Sequence, residues 1–508
     1  MNIRAVAHVI SALVIIIGFF ILSCVPVSWL MKDSMNVIVM LAINAIIPIV
    51  AGTISFYMTK ARRGERYKFG VREGFGIVTF GWIAAAAFGC LPFIFISNFQ
   101  WHDAFFETMS GFTTTGSSVI DNNLILMGGK MLTNGLDDIP RGLIYWRSLT
   151  HWLGGMGIVV LSLAILPFLK IGGQQLYNAE VPGFSSDQLT PRIANSAKIL
   201  WGVYVLLTAA EAFLLWFGGM SLFDSLCTSY GTLATGGFST LQSSIGGYDS
   251  VYFDSIITIF MFLAGCNFVL HFRALRGKPL FYFKDEEFVF YLLLTIIATV
   301  TITISLLGTS IETTDGRIVE GTVFNSIRYA AFQVASIFTT TGFCTANFDL
   351  WPTFSTFLLV CLMFIGGCGG STGGGMKNSR VLLLLKYSTS QVKRCLFPHS
   401  ISNIRLNKER MGAQTLHKVL SFFFLFIMLF VIFSLLTATL CNTDIVTAAT
   451  ASVACLGNIG PGLSKVGATC TYSWMTPSAK MLLTLAMLLG RLELYTVLVL
   501  ILPSFWRK

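Results

Sequence analysis

The chain has 508 residues, of which 54% are hydrophobic and only 11% are charged, with 34 Lys and Arg against 24 Asp and Glu. An average soluble protein carries about 25% charged residues, so these charges are too few to cover a soluble surface. The composition therefore excludes an ordinary cytosolic enzyme, a disordered chain and a DNA-binding protein, and it indicates a membrane protein.

The charged residues are clustered, and the apolar stretches between the clusters are of membrane-crossing length. A spanning helix needs about 20 apolar residues. The first stretch is longer than the apolar run of a cleaved signal peptide, so we count it as a helix. We predict ten spanning helices, near residues 5–30, 36–58, 75–97, 144–169, 195–219, 250–271, 287–308, 353–385, 414–440 and 475–503.

Lys and Arg are distributed unevenly between the loops. If the N-terminus and every second loop lie on one side, that side holds 25 of the 34, the other side holds eight, and Arg491 lies within a span. An excess of Lys and Arg marks the cytoplasmic side, so both termini are predicted to be cytoplasmic. The basic residues are then topology signals, and we expect membrane lipid rather than nucleic acid as a partner.

One glycine-centred segment occurs four times. The copies lie in Gly111–Ser117, Leu233–Phe238, Phe338–Phe343 and Leu456–Gly462. Aligned on Gly116, Gly237, Gly342 and Gly460, they are 121, 105 and 118 residues apart. Such even spacing indicates an internal repeat.

Each copy follows a short semi-polar stretch that cannot cross a bilayer and fits a re-entrant half-helix. These stretches cover residues 103–113, 223–234, 325–339 and 443–457. We therefore predict an all-α polytopic membrane protein with two N-terminal helices and four pseudo-symmetric repeats of helix, half-helix and helix around a central pore. The N-terminal pair with its basic loop covers 1–74, and the repeats cover 75–170, 195–272, 285–394 and 412–508.

Loops at membrane depth are tolerated where they line a water-filled path or are buried in protein. Four loops around one axis would direct carbonyl oxygens and the partially negative ends of half-helices at a dehydrated cation. The alternative is that the glycines only allow close helix packing, but four evenly spaced copies favour a cation filter. The predicted filter consists of each glycine and the two residues before it: Thr114, Thr115, Gly116, Thr235, Gly236, Gly237, Thr340, Thr341, Gly342, Asn458, Ile459 and Gly460.

Span 353–385 contains a Gly-rich loop, residues 366–377, in which seven of twelve residues are glycine. Each glycine costs a helix about 1 kcal/mol relative to alanine, so this stretch should be non-helical at membrane depth. A phosphate-binding loop is not supported, because Lys377 precedes Asn378 and no strand-then-helix context exists. A passive packing break remains an alternative to a mobile gate, whose moving part would be Gly373, Gly374, Gly375 and Lys377.

Arg491 lies eleven residues past Lys480, or roughly 16 Å along a helix. An ionisable group at membrane depth is a candidate functional residue. It could form a structural pair with Glu493 or a facing carbonyl group. It could instead place a positive charge beneath the filter as a barrier to cations.

Two other functions are open. A secondary transporter of a small organic solute would bind its substrate at broken helices, but such folds usually show two large inverted halves. A membrane enzyme would need a nucleophile, an acid–base pair or a metal cluster, and the sequence shows none of these sets. We therefore expect a protein that is not an enzyme and that carries no cofactor.

The repeats, the Gly-rich loop and Arg491 resemble the Trk/Ktr/HKT superfamily of potassium transporters, and most closely its bacterial TrkH/TrkG branch, which also has two extra N-terminal helices. The resemblance covers essentially the whole chain. It rests on Gly111–Ser117, Arg147–Gly157, Ala234–Ser239, Thr339–Phe343, Gly366–Lys377, Leu456–Leu463 and Gly490–Glu493.

The resemblance implies potassium as the transported ion, the bacterial inner membrane as location and a homodimer with one pore per subunit. It also implies a cytosolic regulatory ring, TrkA, that binds nucleotides, and a gating role for the Gly-rich loop and Arg491. The second and fourth segments depart from Thr-Thr-Thr-Gly, reading Ala234–Gly237 and Gly457–Gly460. Because each repeat shares only one glycine, we expect weaker discrimination against sodium than in channels with longer filter loops.

Overall fold

The computed structural model describes residues 1–60, 70–157, 193–398, 404–407 and 409–507. The predicted boundary at 170 therefore lies outside the described residues, as does the second half of the predicted span 144–169. Two N-terminal helical stretches, Ile3–Leu22 with Cys24–Leu30 and Met35–Met58, pack against each other, and Ile3–Leu22 also packs against the helix Val71–Gly89.

Four successive groups of helices follow, and each contains an outer helix, a half-helix and a second helix. The outer helices are Val71–Gly89 with Leu91–Ser97, Ile193–Phe217, Glu286–Leu306 and Ala413–Cys441. The half-helices are Trp101–Phe112, Leu222–Leu233, Val323–Phe338 and Ile445–Leu456. The second helices begin at Arg141–Gly155, Val251–Ala264, Thr353–Met363 and Pro477–Arg491. After their breaks, they resume as Phe268–Leu275, Asn378–Leu396 and Tyr495–Ile501 in the last three groups.

The half-helices are short because each one enters the protein and stops at its centre. Three of them have 12 residues, which is about 18 Å of helix, against about 30 Å of hydrocarbon in a bilayer. Polar residues on them are buried against neighbouring helices, including Thr108, Thr228 and Ser336. These short helices agree with the four stretches expected from the sequence.

Two of the predicted spans, 250–271 and 475–503, are bent rather than straight. The chain bends by 104° after Ala264 and by 119° after Arg491. At the first bend, the Gly265 carbonyl accepts from Cys368 N–H in the Gly-rich loop. At the second, Glu493 and Leu494 have φ of +55° and +56°, which an α-helix cannot contain. Apolar composition does not reveal such bends.

By length and composition, six helices among the described residues could cross a membrane, or eight if each bent pair counts as one span. The interruption predicted in 353–385 is present, because Thr353–Met363 ends well before Asn378–Leu396 begins. All eleven cysteines are unbonded.

Short connecting elements complete the described chain. Strands Ser310–Glu312 and Ile318–Glu320 pair antiparallel with Ile311 opposite Val319, and Arg405–Leu406 pairs with Glu409–Arg410. Short helices lie at Phe281–Lys284 and Pro503–Trp506, and 3-10 turns lie at Gly135–Asp138, Ser244–Tyr248, Phe348–Leu350 and Ser464–Val466. These short elements lie between the longer helices or, for Pro503–Trp506, after the last of them.

Candidate functional site: a ring of four glycine segments

All four half-helices end with the same backbone turn. After the first, Thr114 N–H donates to Gly111 O over 3.1 Å and Thr115 N–H donates to Ser110 O over 2.9 Å. This is the Schellman arrangement, which caps a helix with one left-handed residue. The left-handed residues are Thr114, Thr235, Thr340 and Asn458, with φ of 52°, 54°, 61° and 54°.

A left-handed conformation is unusual for threonine, because its branched Cβ crowds the backbone. Glycine is the usual residue at this point of a helix end. Strained backbone of this kind concentrates at functional sites, where the surrounding structure holds it in place. Its occurrence at equivalent positions in all four repeats points to a common role for these turns.

Two residues further on, the backbone is left-handed again. Gly116, Gly237, Gly342 and Gly460 have φ of 81°, 81°, 84° and 105°. In a regular strand, successive residues face opposite sides. In the glycine segments the first and third residues are left-handed and the second is not. This alternation reverses the direction of every second peptide group, so successive carbonyl groups turn toward the same side. The four glycine segments, 114–116, 235–237, 340–342 and 458–460, thus have a backbone suited to presenting rows of oxygens.

The four glycine segments close into a ring in chain order. A methyl group built on each glycine would collide with the carbonyl oxygen of the next segment. The distances are 2.1 Å from Gly116 to Gly236 O, 2.2 Å from Gly237 to Thr341 O, 2.0 Å from Gly342 to Ile459 O and 2.8 Å from Gly460 to Thr115 O. Glycine is therefore required at these positions by close approach as well as by φ, and all twelve predicted filter residues lie in one ring.

A cavity with about 90 Å³ of water-accessible space lies on one side of this ring. Its lining includes all four ring glycines and the segment 467–472 of the last repeat. Ser117 and Ser239, which follow the first and second glycine segments, also line it. The ring is thus open to a polar vestibule.

A buried ion pair, Arg147 with Glu107, lies next to the ring. Arg147 Nε donates to Glu107 Oε1 over 2.7 Å, and its Nη1 donates to Ser239 O over 3.0 Å. The guanidinium carbon lies 3.5 Å from the centre of the Phe238 ring. Glu107 also accepts from Val119 N–H over 2.9 Å. One ion pair therefore connects the first half-helix to the residues that follow the first two glycine segments.

His151 makes a second bridge between the same repeats. Its Nδ1 lies 2.9 Å from Gly111 O, and its Nε2 lies 3.2 Å from the amide nitrogen of Phe238. A carbonyl requires a donor and an amide requires an acceptor, so the ring is the neutral form with its proton on Nδ1. The imidazole therefore positions the second glycine segment against the first half-helix.

Buried ion pairs also join other repeats. Lys480 Nζ donates to Asp103 Oδ1 over 2.6 Å and connects the fourth repeat to the first half-helix. Arg328 Nε donates to Asp254 Oδ2 over 2.7 Å and connects the third half-helix to the second repeat. Among the described residues, no group of three or more His, Cys, Asp or Glu is placed to hold a metal ion.

The Gly-rich loop lies directly beneath the half-helix ends. A methyl group built on Gly373 would lie 3.0 Å from Thr339 O, and one built on Gly374 would lie 2.4 Å from Gly457 O. Thr372 Oγ1 donates to Leu233 O over 3.0 Å. The loop therefore contacts the C-terminal ends of three half-helices, where the helix dipoles concentrate negative potential.

Two cationic side chains accompany the loop. Buried Lys377 donates from its Nζ to Gly373 O, and Gly375 is left-handed with φ of 65°. Arg491 Nη1 donates to Thr372 O over 2.7 Å, and its Nη2 donates to Gly154 O and Gly155 O over 2.6 and 2.8 Å. The predicted pairing of Arg491 with a facing carbonyl is thus present, whereas Glu493 pairs with Arg380.

Sequence reasoning missed Glu287. This buried carboxylate lies at the start of Glu286–Leu306, and its Oε1 accepts from Gly369 N–H over 2.7 Å and from Ser379 N–H over 2.9 Å. It therefore ties the Gly-rich loop to the helix that follows it. In the sequence it looks like an ordinary acidic residue in a first helical turn, because Asp285 and Glu286 precede it.

Four half-helices that end in a closed ring of backbone oxygens, with helices long enough to cross a membrane, define a polytopic membrane transport protein. A family model described as TrkH, a cation transport protein, matches residues 37–508. The chain belongs to this family. The resemblance inferred from the sequence is confirmed, and so is the expectation of a protein that is not an enzyme, since its relatives are named as uptake proteins.

Several known proteins resemble the chain over at least 91% of its length. The Trk system potassium uptake protein TrkH of Salmonella typhimurium is 40% identical over 466 residues and 91% of each chain. Its counterpart from Vibrio parahaemolyticus is 36% identical over 100% of both chains, and TrkG of Escherichia coli is 32% identical over 100% of this chain and 99% of its own. The crystal structure of the potassium transporter TrkH from Vibrio parahaemolyticus superposes with a TM-score of 0.83 at 33% identity, covering 100% of both chains. The predicted fold class is confirmed.

Proposed function

We propose that this protein takes up potassium across the bacterial inner membrane through a pore whose filter is the ring of four glycine segments. The observation that carries the proposal is the closure of that ring. A methyl group built on each ring glycine would lie only 2.0 to 2.8 Å from a carbonyl oxygen of the next segment. The potassium uptake named for its relatives agrees with it.

In this mechanism potassium enters the vestibule, loses water at the ring and is held by carbonyl oxygens and half-helix C-termini. The membrane potential supplies about 2.3 kcal/mol per charge per 100 mV for inward movement. Each segment contributes a single ring glycine, so the filter offers few consecutive sites. We expect potassium to be preferred over sodium by a modest factor.

The Gly-rich loop, with Gly373, Gly374, Gly375 and Lys377 as its moving part, is the proposed gate. Its position beneath the half-helix ends supports this role. Arg491 adds a positive charge at the same depth and hydrogen-bonds the loop at Thr372 O. Opening would require the loop to leave the half-helix ends and Arg491 to release its carbonyl partners.

The proposed repeats are 75–170, 195–272, 285–394 and 412–508, after an N-terminal pair of helices within 1–74. Both termini are proposed to be cytoplasmic. This orientation is supported by contacts that hold both chain ends beside the basic loop, because Arg4 donates to Lys60 O and Arg72 donates to Arg507 O. The basic residues would then face the side predicted by their excess.

Two partners are proposed on the strength of the family resemblance. One is a second copy of this chain, giving a homodimer with one pore in each subunit. The other is a cytosolic TrkA-like subunit that binds nucleotides and controls the gate. The end of the third repeat and the residues that follow it offer a surface for an acidic partner or for anionic lipid. The exposed basic residues there are Lys393, Arg394, Arg405 and Arg410.

The test is cation flux into liposomes that contain the purified protein, with potassium, rubidium, sodium and lithium compared. Gly342→Ser is the filter variant, because its side chain would collide with Ile459 O. Gly128→Ser is the matched control, because Gly128 is also left-handed, with φ of 88°, but a methyl group there meets nothing within 4 Å.

We expect saturable potassium and rubidium flux, faster than sodium flux, in the wild type and in Gly128→Ser, and loss of this preference over sodium only in Gly342→Ser. Unchanged selectivity in Gly342→Ser would remove the ring from the mechanism. If no cation moves, the cytosolic subunit and nucleotide are added. Silence even then would favour the alternative function, transport of a small organic solute.

A further inference from the structure

A hydrogen bond joins the Gly-rich loop to one residue of the ring. Gly374 N–H donates to Thr340 Oγ1 over 2.7 Å, and both groups are buried. Thr340 is the left-handed residue at the start of the third glycine segment. The bond therefore connects the proposed gate to the inner end of the proposed filter without any intervening residue.

The equivalent side chains of the other three segments do not bond to the loop. Thr114 Oγ1 has no hydrogen-bond partner among the described residues, and Thr235 Oγ1 donates to Ala234 O. Asn458 Nδ2 donates to Thr115 Oγ1 and Met487 O, while its Oδ1 has no partner among the described residues. The ring is thus asymmetric at its inner end, and the asymmetry lies where the loop docks.

Buried oxygens without partners are costly unless something satisfies them. At the inner end of a cation filter, Thr114 Oγ1 and Asn458 Oδ1 are hard oxygen atoms of the kind that bind alkali cations. Thr340 Oγ1 is a third such oxygen, but the amide hydrogen of Gly374 already occupies one of its two acceptor positions. The partial positive charge of that hydrogen also opposes a cation at the same oxygen.

We propose that closure of the Gly-rich loop and potassium occupancy at the inner end of the ring compete for Thr340 Oγ1, so that potassium itself favours release of the loop. This inference rests on the proposed function, because it assumes that the ring binds potassium. Coupling between two binding events is reciprocal. If loop closure weakens potassium binding by a given factor, potassium weakens loop closure by the same factor.

Cys368 provides a reporter inside the loop, because its side chain is 1% exposed in this closed arrangement. The protein is prepared with the other ten cysteines replaced and is reconstituted into liposomes. The rate at which a maleimide reacts with Cys368 is measured in potassium and in an impermeant organic cation. Potassium flux is measured on the same preparations.

We expect Cys368 to react at least several-fold faster in saturating potassium than in the organic cation. Thr340→Val removes the hydroxyl group and should give fast reaction in both solutions. Thr340→Ser retains the hydroxyl and should restore the dependence on potassium. Thr108→Val is the matched control, because the Thr108 hydroxyl is also buried but donates to Ala104 O within the first half-helix, away from the ring and the loop, and this variant should keep the dependence.

The two proposals fail in different ways. If flux is selective for potassium but Cys368 reacts at the same rate in both solutions, the competition is overturned and the filter stands. The competition is also overturned if Thr340→Val and Thr108→Val behave alike. If the cytosolic subunit changes the rate of maleimide reaction at Cys368 but flux shows no preference for potassium, the filter itself is overturned. The first comparison needs only the reporter protein, so it holds even where a variant fails to fold.

Discussion

Arg491 and Thr372 are joined by a hydrogen bond of 2.7 Å from the guanidinium Nη1 to the carbonyl oxygen. The same guanidinium reaches Gly154 O and Gly155 O at the end of a second helix in the first repeat. One side chain therefore connects the fourth repeat, the Gly-rich loop of the third repeat and the first repeat. Movement of the loop has to change the environment of Arg491.

Arg491→Met should increase potassium flux measured without the cytosolic subunit. The variant loses the positive charge and the bonds to three carbonyl groups, and a hydrogen bond to a charged group contributes about 1.5 to 3 kcal/mol. Loss of one such bond would shift the balance of closed and open loops by roughly 10-fold to 100-fold. Flux in liposomes, normalised to protein, measures the change.

Arg491→Lys separates charge from geometry. Lysine keeps the charge but cannot bridge several carbonyls with a planar group. An intermediate flux is expected if both matter. Equal flux in Arg491→Met and the wild type would contradict a barrier role for Arg491.

Glu287→Ala should loosen the Gly-rich loop. The substitution leaves the amides of Gly369 and Ser379 without their acceptor, and each unsatisfied buried donor costs about 1 to 3 kcal/mol. We expect several-fold higher flux without the cytosolic subunit. Glu287→Gln retains a carbonyl oxygen at this place and should stay near the wild type. Identical behaviour of the Ala and Gln variants would show that the acceptor does not hold the loop.

Arg147→Met should lower stability by about 3 to 5 kcal/mol, because it leaves the buried carboxylate of Glu107 without its partner. The side chains of this pair are 4% and 0% exposed. Lys386→Met breaks the pair with Glu286, whose side chains are 33% and 39% exposed, and should cost less than about 1 kcal/mol. Thermal unfolding in detergent compares the two variants. Similar losses would mean that the Arg147 pair is not stabilising the ring.

Asp349 predicts a pH dependence of stability. Burial raises the pKa of this carboxyl from 3.8 to about 6, although Ser464 N–H donates to it. Between these values the folded protein keeps a proton that the unfolded chain has released, so stability falls as pH rises through this range. Above about pH 6 the loss is complete.

Asp349→Asn removes this titration and keeps an oxygen for Ser464 N–H. Its unfolding temperature should match the wild type near pH 4 and exceed it at pH 7.5. The measurement is thermal unfolding of both proteins across this pH range. A difference that stays constant with pH would contradict the assignment to Asp349.

The repeats and half-helices were predictable because their signals are local. Uncharged length marks a membrane segment, and four glycines at even spacing mark equivalent turns. The half-helix Leu222–Leu233 differs from its predicted range by one residue at each end. The bends after Ala264 and Arg491 were not predictable, because they involve contacts with the Gly-rich loop and a left-handed backbone at Glu493 and Leu494, which no local pattern marks.

The amino-acid sequence by itself determined that this is a membrane protein with a fourfold repeat and that glycine is required once in each repeat. Hydropathy and spacing are properties of the chain, so they need no tertiary structure. Only the tertiary structure decided which residues meet across repeats: Glu287 with the loop, Arg491 with Thr372, and Gly374 with Thr340. Those contacts join residues between 34 and 119 positions apart, and such pairings depend on the packing of helices around a common axis rather than on any local pattern.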